Sequence, residues 1–180
     1  MSTIPTIKSI NQLFKNLIYG GGYDGYQGIL KSIDFDGKSI EHLCHWNNDY
    51  PTRIGLAKMD TFELQLICWE EGQEIPIHDH EFVDSWIYVL EGELLEEEYK
   101  SSGAGSPPMI FRSSKLNKGE FTFASDSIGL HKLMNTNKGR SITVHVYTGI
   151  LEKWHIYNEK NGQRSEEVIN CDFEYDIETH

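Results

Sequence analysis

Cysteine is scarce in this sequence, and its distribution excludes two kinds of protein. The three cysteines, Cys44, Cys68 and Cys171, are odd in number and far apart in the chain. This pattern excludes a disulfide framework and a cysteine-based zinc knuckle. The opening segment MSTIPTIKSINQLF has no basic region followed by a long apolar stretch, so it does not resemble a secretory signal. Together these absences predict a reducing compartment, and we expect the protein in the cytoplasm.

Basic residues and long hydrophobic runs are also in short supply. Lysine and arginine number 16 against 28 acidic residues, which gives a formal net charge of −12. This charge argues against a nucleic-acid partner and against an anionic membrane surface, because both are bound mainly through Lys and Arg. No apolar run approaches the roughly 18 residues of a membrane span. What remains is a globular composition, and its 180 residues predict a single domain over 1–180.

The first fifty residues, 1–50, have the apolar spacing of helices. In the first of these, apolar residues recur every three to four positions: Ile10, Leu13, Phe14, Leu17 and Ile18. Ser9 or Asn11 is available as the N-cap, and the glycine-rich stretch 20–28 ends the helix. Two further short helices are predicted over residues 26–33 and 39–46. We expect this segment to pack on the rest of the domain.

From about residue 53 to residue 160, short β-prone runs alternate with turn signals. The predicted strands are 54–58, 62–69, 75–80, 84–91, 93–99, 109–112, 120–124, 130–134 and 141–149. Many short strands at this spacing favour an all-β sandwich or barrel. Within it, LLEEEY (94–99) is interpreted as a solvated edge strand protected by charge. Residues 165–180 are interpreted as an acidic tail, mobile or loosely docked.

A His-x-His pair, His78 and His80, is the first pattern that indicates chemistry. Side chains in a strand alternate between faces, so both imidazoles leave the same face. Two nitrogens so placed are able to bind one metal ion. By itself the pair is equally well explained as two surface histidines, so the interpretation depends on its context.

The residues around this pair resemble the double signature of the cupins. Gly72 precedes the pair by six residues and Gly92 follows it by twelve, while His131 lies on a later predicted strand and is followed by Asn135. These spacings match Gly-x5-His-x-His followed by a distant His-x3-Asn. The predicted fold is therefore a cupin, a double-stranded β-helix (jelly-roll) barrel with short N-terminal helices.

The usual cupin glutamate ligand is missing. Its two possible positions hold Asp84 and Ser85, and counting back from Gly92 places it on Ser85. Three histidines without a carboxylate leave up to three positions open on a six-coordinate metal. Fe(II) suits such a site, and by ligand type Zn²⁺, Ni²⁺, Co²⁺ or Cu²⁺ also fits. Asp79 and Asp84 are possible partners for the second ring nitrogen of a ligand histidine.

The strand SITVHVYTG (141–149) carries a second pattern. Thr143, His145 and Tyr147 share one face, where a hydroxyl, an imidazole and a phenol are able to form a hydrogen-bonded chain. The alternatives are a polar barrel interior and a wet outer face. Arg53, at the start of the barrel, is either a bidentate carboxylate binder or an exposed surface residue.

Three motifs in the right order resemble the cysteine dioxygenase family, thiol dioxygenases of the cupin fold. They are CWEEGQEIPIHDH, DSIGLH and SITVHVY, and the likeness covers roughly residues 50–150. The resemblance implies that His78, His80 and His131 are the Fe(II) ligands. It further implies that Arg53 binds the substrate carboxylate.

The same resemblance assigns roles to the polar face of the strand at 141–149. Tyr147 is implied to reach substrate and oxygen, with His145 hydrogen-bonded to it. Thr143 stands where the family usually has Ser. Ser85 stands where the animal enzymes have the cysteine that cross-links to this tyrosine, so the thioether is not expected, as in bacterial relatives.

The implied function is oxidation of L-cysteine by O₂ to cysteine sulfinic acid at a mononuclear Fe(II) site. One alternative is dioxygenation of another small thiol such as 3-mercaptopropionate, whose enzymes usually have glutamine where Arg53 stands. The others are a non-catalytic metal-binding cupin and a zinc cupin with isomerase or hydrolase activity. The expected partners are a small-molecule thiol and O₂, and we expect a monomer. His42 and His45 are interpreted as an exposed helical pair, and His155 and His180 receive no partner from the sequence.

Overall fold

A computed structural model of the chain describes residues 5–21, 25–103 and 105–177. Part of the predicted glycine-rich break, His180 and the end of the predicted acidic tail lie outside these residues. The N-terminal elements are α1 (Ile10–Ile18), α2 (Gln27–Leu30) and a 3-10 helix (Gly37–Leu43). Ser9 caps α1 by accepting a hydrogen bond from the Gln12 amide. The first predicted helix is thus confirmed, and the other two are shorter than predicted.

Twelve strands follow in the described part of the chain. They are β1 (Thr52–Lys58), β2 (Glu63–Trp69), β3 (Glu74–His78), β4 (Ser85–Glu91), β5 (Glu93–Lys100), β6 (Met109–Asn117), β7 (Phe121–Ala124), β8 (Leu130–Met134), β9 (Ser141–Tyr147), β10 (Lys153–Tyr157), β11 (Arg164–Val168) and β12 (Phe173–Glu174). They form two six-stranded sheets. Sheet one has the order β12-β1-β2-β9-β4-β7, and sheet two has the order β11-β10-β3-β8-β5-β6. Except for the parallel β1–β12 pair, neighbouring strands are antiparallel.

Sheet one is covered on both faces, which explains why every residue of β2 and β9 is buried. Its outer face packs under the N-terminal helices in a hydrophobic cluster that includes Leu13, Leu17, Leu66 and Val144. Its inner face packs against sheet two. Because successive side chains alternate, the polar residues of β9 point into the space between the sheets. The wet outer face considered for this strand is therefore wrong.

Several strand predictions need correction. β3 ends at His78, so His80 lies in the following turn rather than on the strand predicted over 75–80. The predicted break at 113–120 is strand up to Asn117, which ends β6. β5 is not an edge strand, since it lies between β8 and β6.

The segment interpreted as an acidic tail docks on the barrel as far as it is described. It contributes most of β11, and β12 pairs with β1. Asp172 bonds the backbone of Arg53 twice, because its amide donates to the Arg53 carbonyl and its carboxylate accepts from the Arg53 amide, each at 2.8 Å. Ile177 is 6% exposed. This segment therefore stabilises β1 rather than hanging free.

None of the helices in the described ranges is long and apolar enough to cross a membrane.

Candidate metal centre

Three histidines converge between the two sheets. The Nε2 atoms of His78 and His80 are 3.1 Å apart, and Nε2 of His131 lies 3.0 Å from His78 and 3.2 Å from His80. All three side chains are buried. If three nitrogens each lie about 2.1 Å from one metal ion, N–metal–N angles of 90° separate them by about 3.0 Å. Tetrahedral N–metal–N angles separate them by about 3.4 Å. The observed triangle is closer to one face of an octahedron.

The hydrogen bonds of these rings show that the residues fit a metal ion. His78 Nδ1 is 2.8 Å from the Pro76 carbonyl and His131 Nδ1 is 2.9 Å from the Glu96 carboxylate. Both acceptors require a proton on Nδ1, so each Nε2 presents a bare lone pair to the other. Burial lowers the pKa of His78 and of His80 well below the ordinary histidine value, which keeps these rings neutral. Imidazole nitrogens that converge on one point in this way are suited to hold a metal cation.

Glu96 is a functional residue that the sequence analysis missed. It is 1% exposed, and its carboxylate accepts hydrogen bonds from His131 Nδ1 and, at 2.6 Å, from the Thr122 hydroxyl. The interpretation of 94–99 as a solvated strand is therefore wrong at this position. Leu94, Glu96 and Glu98 are buried while their neighbours are less so, but the letters LLEEEY do not alternate between apolar and polar, so the sequence held no local signal for this burial.

Neither carboxylate proposed from the sequence reaches a ligand histidine in the described structure. Asp79 instead contacts His155 Nδ1 at 3.1 Å and accepts a hydrogen bond from the Tyr157 hydroxyl at 3.0 Å. The backbone carbonyl of Asp84 accepts hydrogen bonds from the Thr148 amide at 2.9 Å and from the Thr148 hydroxyl at 3.3 Å. Asp79 therefore does bind a histidine ring, but one outside the metal centre.

A short turn holds His80 in place. Asp126 accepts hydrogen bonds from the His80 amide at 3.1 Å and from the Phe82 amide at 2.7 Å. Glu81 and Phe82 have φ values of 46° and 74°. This left-handed backbone is uncommon for residues other than glycine, and the Asp126 carboxylate stabilises it.

A second group, Glu81, His155 and Glu166, also has ligand atoms within 4.8 Å of one another. Lys153 already occupies it, with Nζ at 2.7 Å from Glu166 and 3.6 Å from Glu81.

His45, interpreted as part of an exposed pair, stacks on Phe173 with the ring centroids 3.6 Å apart, and its Nε2 lies 2.7 Å from the Tyr175 hydroxyl. It packs the C-terminal segment against the barrel.

The polar residues of β9 form a continuous chain of hydrogen bonds. The Trp69 indole N–H donates to the Thr143 hydroxyl at 2.9 Å, Thr143 Oγ1 is 2.9 Å from His145 Nε2, and His145 Nδ1 is 3.3 Å from the Tyr147 oxygen. Since indole is only a donor, the Thr143 proton is free to point at His145 Nε2. His145 then carries its proton on Nδ1 and donates it to Tyr147. This order leaves the Tyr147 proton available to another group between the two sheets.

Burial sets the protonation of this chain. Desolvation lowers the pKa of His145 well below the ordinary value, and the Arg53 charge acts in the same direction. Desolvation raises the pKa of Tyr147, and the Arg53 guanidinium partly offsets that rise. Near pH 7 both groups are neutral, so Tyr147 is a hydrogen-bond donor.

Arg53 reaches the same region between the sheets from β1. Its guanidinium carbon lies 4.5 Å from the ring centroid of Trp154, and Nη1 is 3.5 Å from Oε1 of Gln65. Gln65 in turn donates to Glu63 at 2.8 Å, and both are buried. Trp154, Gln65 and Glu63 were not identified from the sequence.

Ser85 faces Tyr147 directly across the β4–β9 ladder. Its hydroxyl is 3.4 Å from His80 Nδ1. The position that the resemblance assigns to a cross-linking cysteine is thus adjacent to the tyrosine in space, and the residue there is a hydroxyl.

The two sheets supply different parts of this centre. His78 ends β3, His80 follows it, and His131 lies on β8, so the three histidines belong to sheet two. Arg53 and Tyr147 belong to sheet one. The site residues predicted from the sequence are therefore brought together between the two sheets.

Solved structures match the fold. A protein from Thermus thermophilus superposes with a TM-score of 0.50 and 20% identity, covering 61% of this chain and 93% of that one. A conserved protein with a double-stranded β-helix domain from Klebsiella pneumoniae superposes with a TM-score of 0.50 and 18% identity, covering 73% and 96%. The predicted cupin fold is confirmed.

Curated relatives match the sequence. Cysteine dioxygenase type 1 from Bos taurus is 27% identical over 120 residues, which cover 66% of this chain and 60% of that protein. The human protein of the same name is 26% identical over the same length. The chain thus spans about 60% of the length of the curated relatives it matches.

The family model described as cysteine dioxygenase type I matches residues 1–160. That match covers most of the chain and includes the residues that converge between the sheets. The protein therefore belongs to the cysteine dioxygenase type I family.

Proposed function

We propose that this protein is a thiol dioxygenase that oxidises L-cysteine to cysteine sulfinic acid with O₂, at an iron(II) ion held by His78, His80 and His131. The observation that carries the proposal is the convergence of three buried imidazole Nε2 atoms beside an arginine and a neutral phenol, all between the two sheets. The reaction is RSH + O₂ → RSO₂H, in which sulfur is oxidised and both oxygen atoms are retained.

The triangle of nitrogens supports iron(II) as the metal. Its spacing resembles an octahedral face, which leaves three positions open, as in non-haem iron oxygenases. When bound, iron(II) supplies the redox chemistry by which O₂ combines with a thiol.

Arg53 selects the substrate in this proposal. Its planar guanidinium binds a carboxylate with two parallel hydrogen bonds, which the single ammonium of lysine cannot do. It is half-buried, and within the described residues no carboxylate of the protein forms a salt bridge with it. The group is therefore free for a substrate carboxylate.

Tyr147 donates a hydrogen bond to the reacting groups, and Thr143 and His145 orient it. Because Tyr147 is 2% exposed, its hydrogen bond acts with little competition from water.

The test is oxygen uptake by protein loaded anaerobically with Fe(II), given L-cysteine and then 3-mercaptopropionate at equal concentrations. We expect uptake with L-cysteine and one sulfinate formed for each O₂ consumed. Uptake with 3-mercaptopropionate alone would keep the chemistry and overturn the substrate. No uptake with either thiol at full iron occupancy would overturn the proposal in favour of a non-catalytic metal-binding cupin.

Tyr147→Phe tests the donor role. It removes one hydroxyl from a buried site, and we expect kcat to fall by about 10²–10³-fold, on the order of the loss of one preorganised donor. Iron content should not change, because Tyr147 does not hold the metal in this proposal. Normal turnover in this variant would contradict the role.

A further inference from the structure

Trp154 touches both halves of the centre. It lies on β10 in sheet two and is 7% exposed. Its ring centroid is 4.4 Å from that of the metal-ligand candidate His78, and 4.5 Å from the guanidinium carbon of Arg53 in sheet one. Neither the reaction proposed above nor the resemblance gives Trp154 a role.

Besides Trp154, the guanidinium of Arg53 has the Tyr147 hydroxyl and Gln65 as polar neighbours. Its hydrogen bond to Gln65 is long, at 3.5 Å, and it forms no salt bridge with a carboxylate in the described part of the chain. A guanidinium has its five N–H donors in one plane. An aromatic ring against one face of that plane attracts the cation without using any donor. The contact with Trp154 therefore holds the cation over the ring without using any of its N–H donors.

We propose that Trp154 is a positioning residue that holds the guanidinium of Arg53 for a substrate carboxylate, and so makes the site selective for thiols that carry one. The inference deepens the proposed function and rests on it. Because the same ring packs on His78, it also fixes the distance between the carboxylate-binding group and the metal site. The ligand class is a small aliphatic thiol with a carboxylate within reach of a metal-bound sulfur.

The experiment compares two thiols that differ in the carboxylate. Fe(II)-loaded protein is titrated without oxygen with L-cysteine and with cysteamine, which lacks the carboxylate, and each Kd is measured by calorimetry. For Trp154→Leu we expect Kd for L-cysteine to rise at least tenfold and Kd for cysteamine to change less than twofold. Trp154→Phe keeps an aromatic face and should retain most of the wild-type affinity. If the leucine variant does not fold, Trp154→Met offers an unbranched apolar side chain for the same comparison.

A double-mutant cycle separates positioning from packing. In an Arg53→Met background, Trp154→Leu should cause no further loss of L-cysteine affinity, because the cation that Trp154 positions is gone. Iron content, measured for every variant, reports on the His78 contact.

The role of Trp154 would be overturned if Trp154→Leu weakened the binding of both thiols equally. It would also be overturned if Trp154→Leu caused the same loss of L-cysteine affinity in the Arg53→Met background. In those cases wild-type turnover of L-cysteine would remain, so the proposed function would stand. A wild-type protein that binds and oxidises neither thiol would overturn both.

Discussion

At the scale of single residues, Glu96 is the most informative side chain of the metal centre. A buried carboxylate is unfavourable unless it is paired, and this one is paired to His131 Nδ1 and to the Thr122 hydroxyl. Through the imidazole it fixes which nitrogen of His131 faces the centre and makes that nitrogen a better ligand. The ligand set thus has no carboxylate of its own, but a carboxylate contacts the ligand histidine His131.

Glu96→Gln tests this role. The amide keeps the size of the side chain and loses its charge, so we expect Fe(II) affinity to fall about 10–100-fold. A competition titration against a chelator measures the change. Glu97→Gln is the matched control on the same strand, because Glu97 bonds Tyr99 on the other side of the sheet. Equal losses in the two variants would contradict the role.

His145 gives the metal-free protein an acid sensitivity. Its folded-state pKa lies well below the ordinary value of about 6.5, so the folded protein resists a proton that the unfolded chain accepts. The stability it contributes is present above pH 6.5 and is lost as the pH falls below it, by up to about 1.4 kcal/mol per pH unit.

Urea unfolding of the metal-free protein at pH 7.0 and 5.5 tests that slope. His145→Gln should lose less stability between the two values than wild type. Identical slopes in the two proteins would refute the assignment.

At the scale of elements, the turn between β4 and β5 allows only glycine. Gly92 has φ +78°, and a Cβ there would collide with the Ser141 hydroxyl and lie 2.8 Å from the Arg140 carbonyl oxygen. Gly72, in the turn before β3, has φ +77° with no atom near its missing Cβ. The two glycines share a backbone conformation and differ only in the space around them.

The pair Gly72→Ala and Gly92→Ala separates strain from collision. We expect Gly72→Ala to lower the free energy of unfolding by about 1 kcal/mol, the cost of a left-handed residue. Gly92→Ala should cost about 1–3 kcal/mol more, because neighbouring atoms must move. Denaturant titration gives both values, and equal costs would show that the turn at Gly92 adapts.

The elements that the sequence predicted well are those with one clear period. α1 followed from its apolar spacing, and the strands from 54 to 99 and from 120 to 149 lie close to their predicted positions. β10 to β12 were missed because much of that region is polar and exposed, so no alternation identifies it. Their stability comes from pairing with β3 and β1, which is a long-range contact.

The centre was predictable where a short motif defines it. The histidines and Arg53 came from spacing together with resemblance. Glu96, Gln65 and Trp154 act through contacts that are distant in sequence, and no local pattern marks them. Glu96 also lay within a run of like charges, which the surface interpretation explained without a metal.

At the scale of the whole molecule, metal binding should be visible as stability. A ligand that binds only the folded state at 100 times its Kd adds about 2.7 kcal/mol. For a chain of this length that corresponds to a rise in Tm of roughly 5–10 °C. We expect chelation to lower Tm by this amount and Fe(II) to restore it under anaerobic conditions. His80→Gln should show a much smaller shift, and a full shift in that variant would place the metal elsewhere.

The oligomeric state and the cellular location stay predictions. A monomer is expected, and sedimentation equilibrium of the full chain tests it directly. The cytoplasmic assignment depends on cysteine usage and on the opening segment, and localisation of the tagged full-length protein tests it.

The division of the centre between two sheets has a consequence for how its substrate range changes. The histidines belong to sheet two and Arg53 belongs to sheet one, so the distance between them depends on the apolar layer between the sheets, which contains Ile87 and Leu133. Each sheet keeps its own hydrogen-bond ladder when that layer thickens or thins by a fraction of an ångström. A larger or smaller residue at Ile87 or Leu133, neither of which the proposed reaction uses, would therefore favour thiols of a different length while the fold and the ligands stay the same.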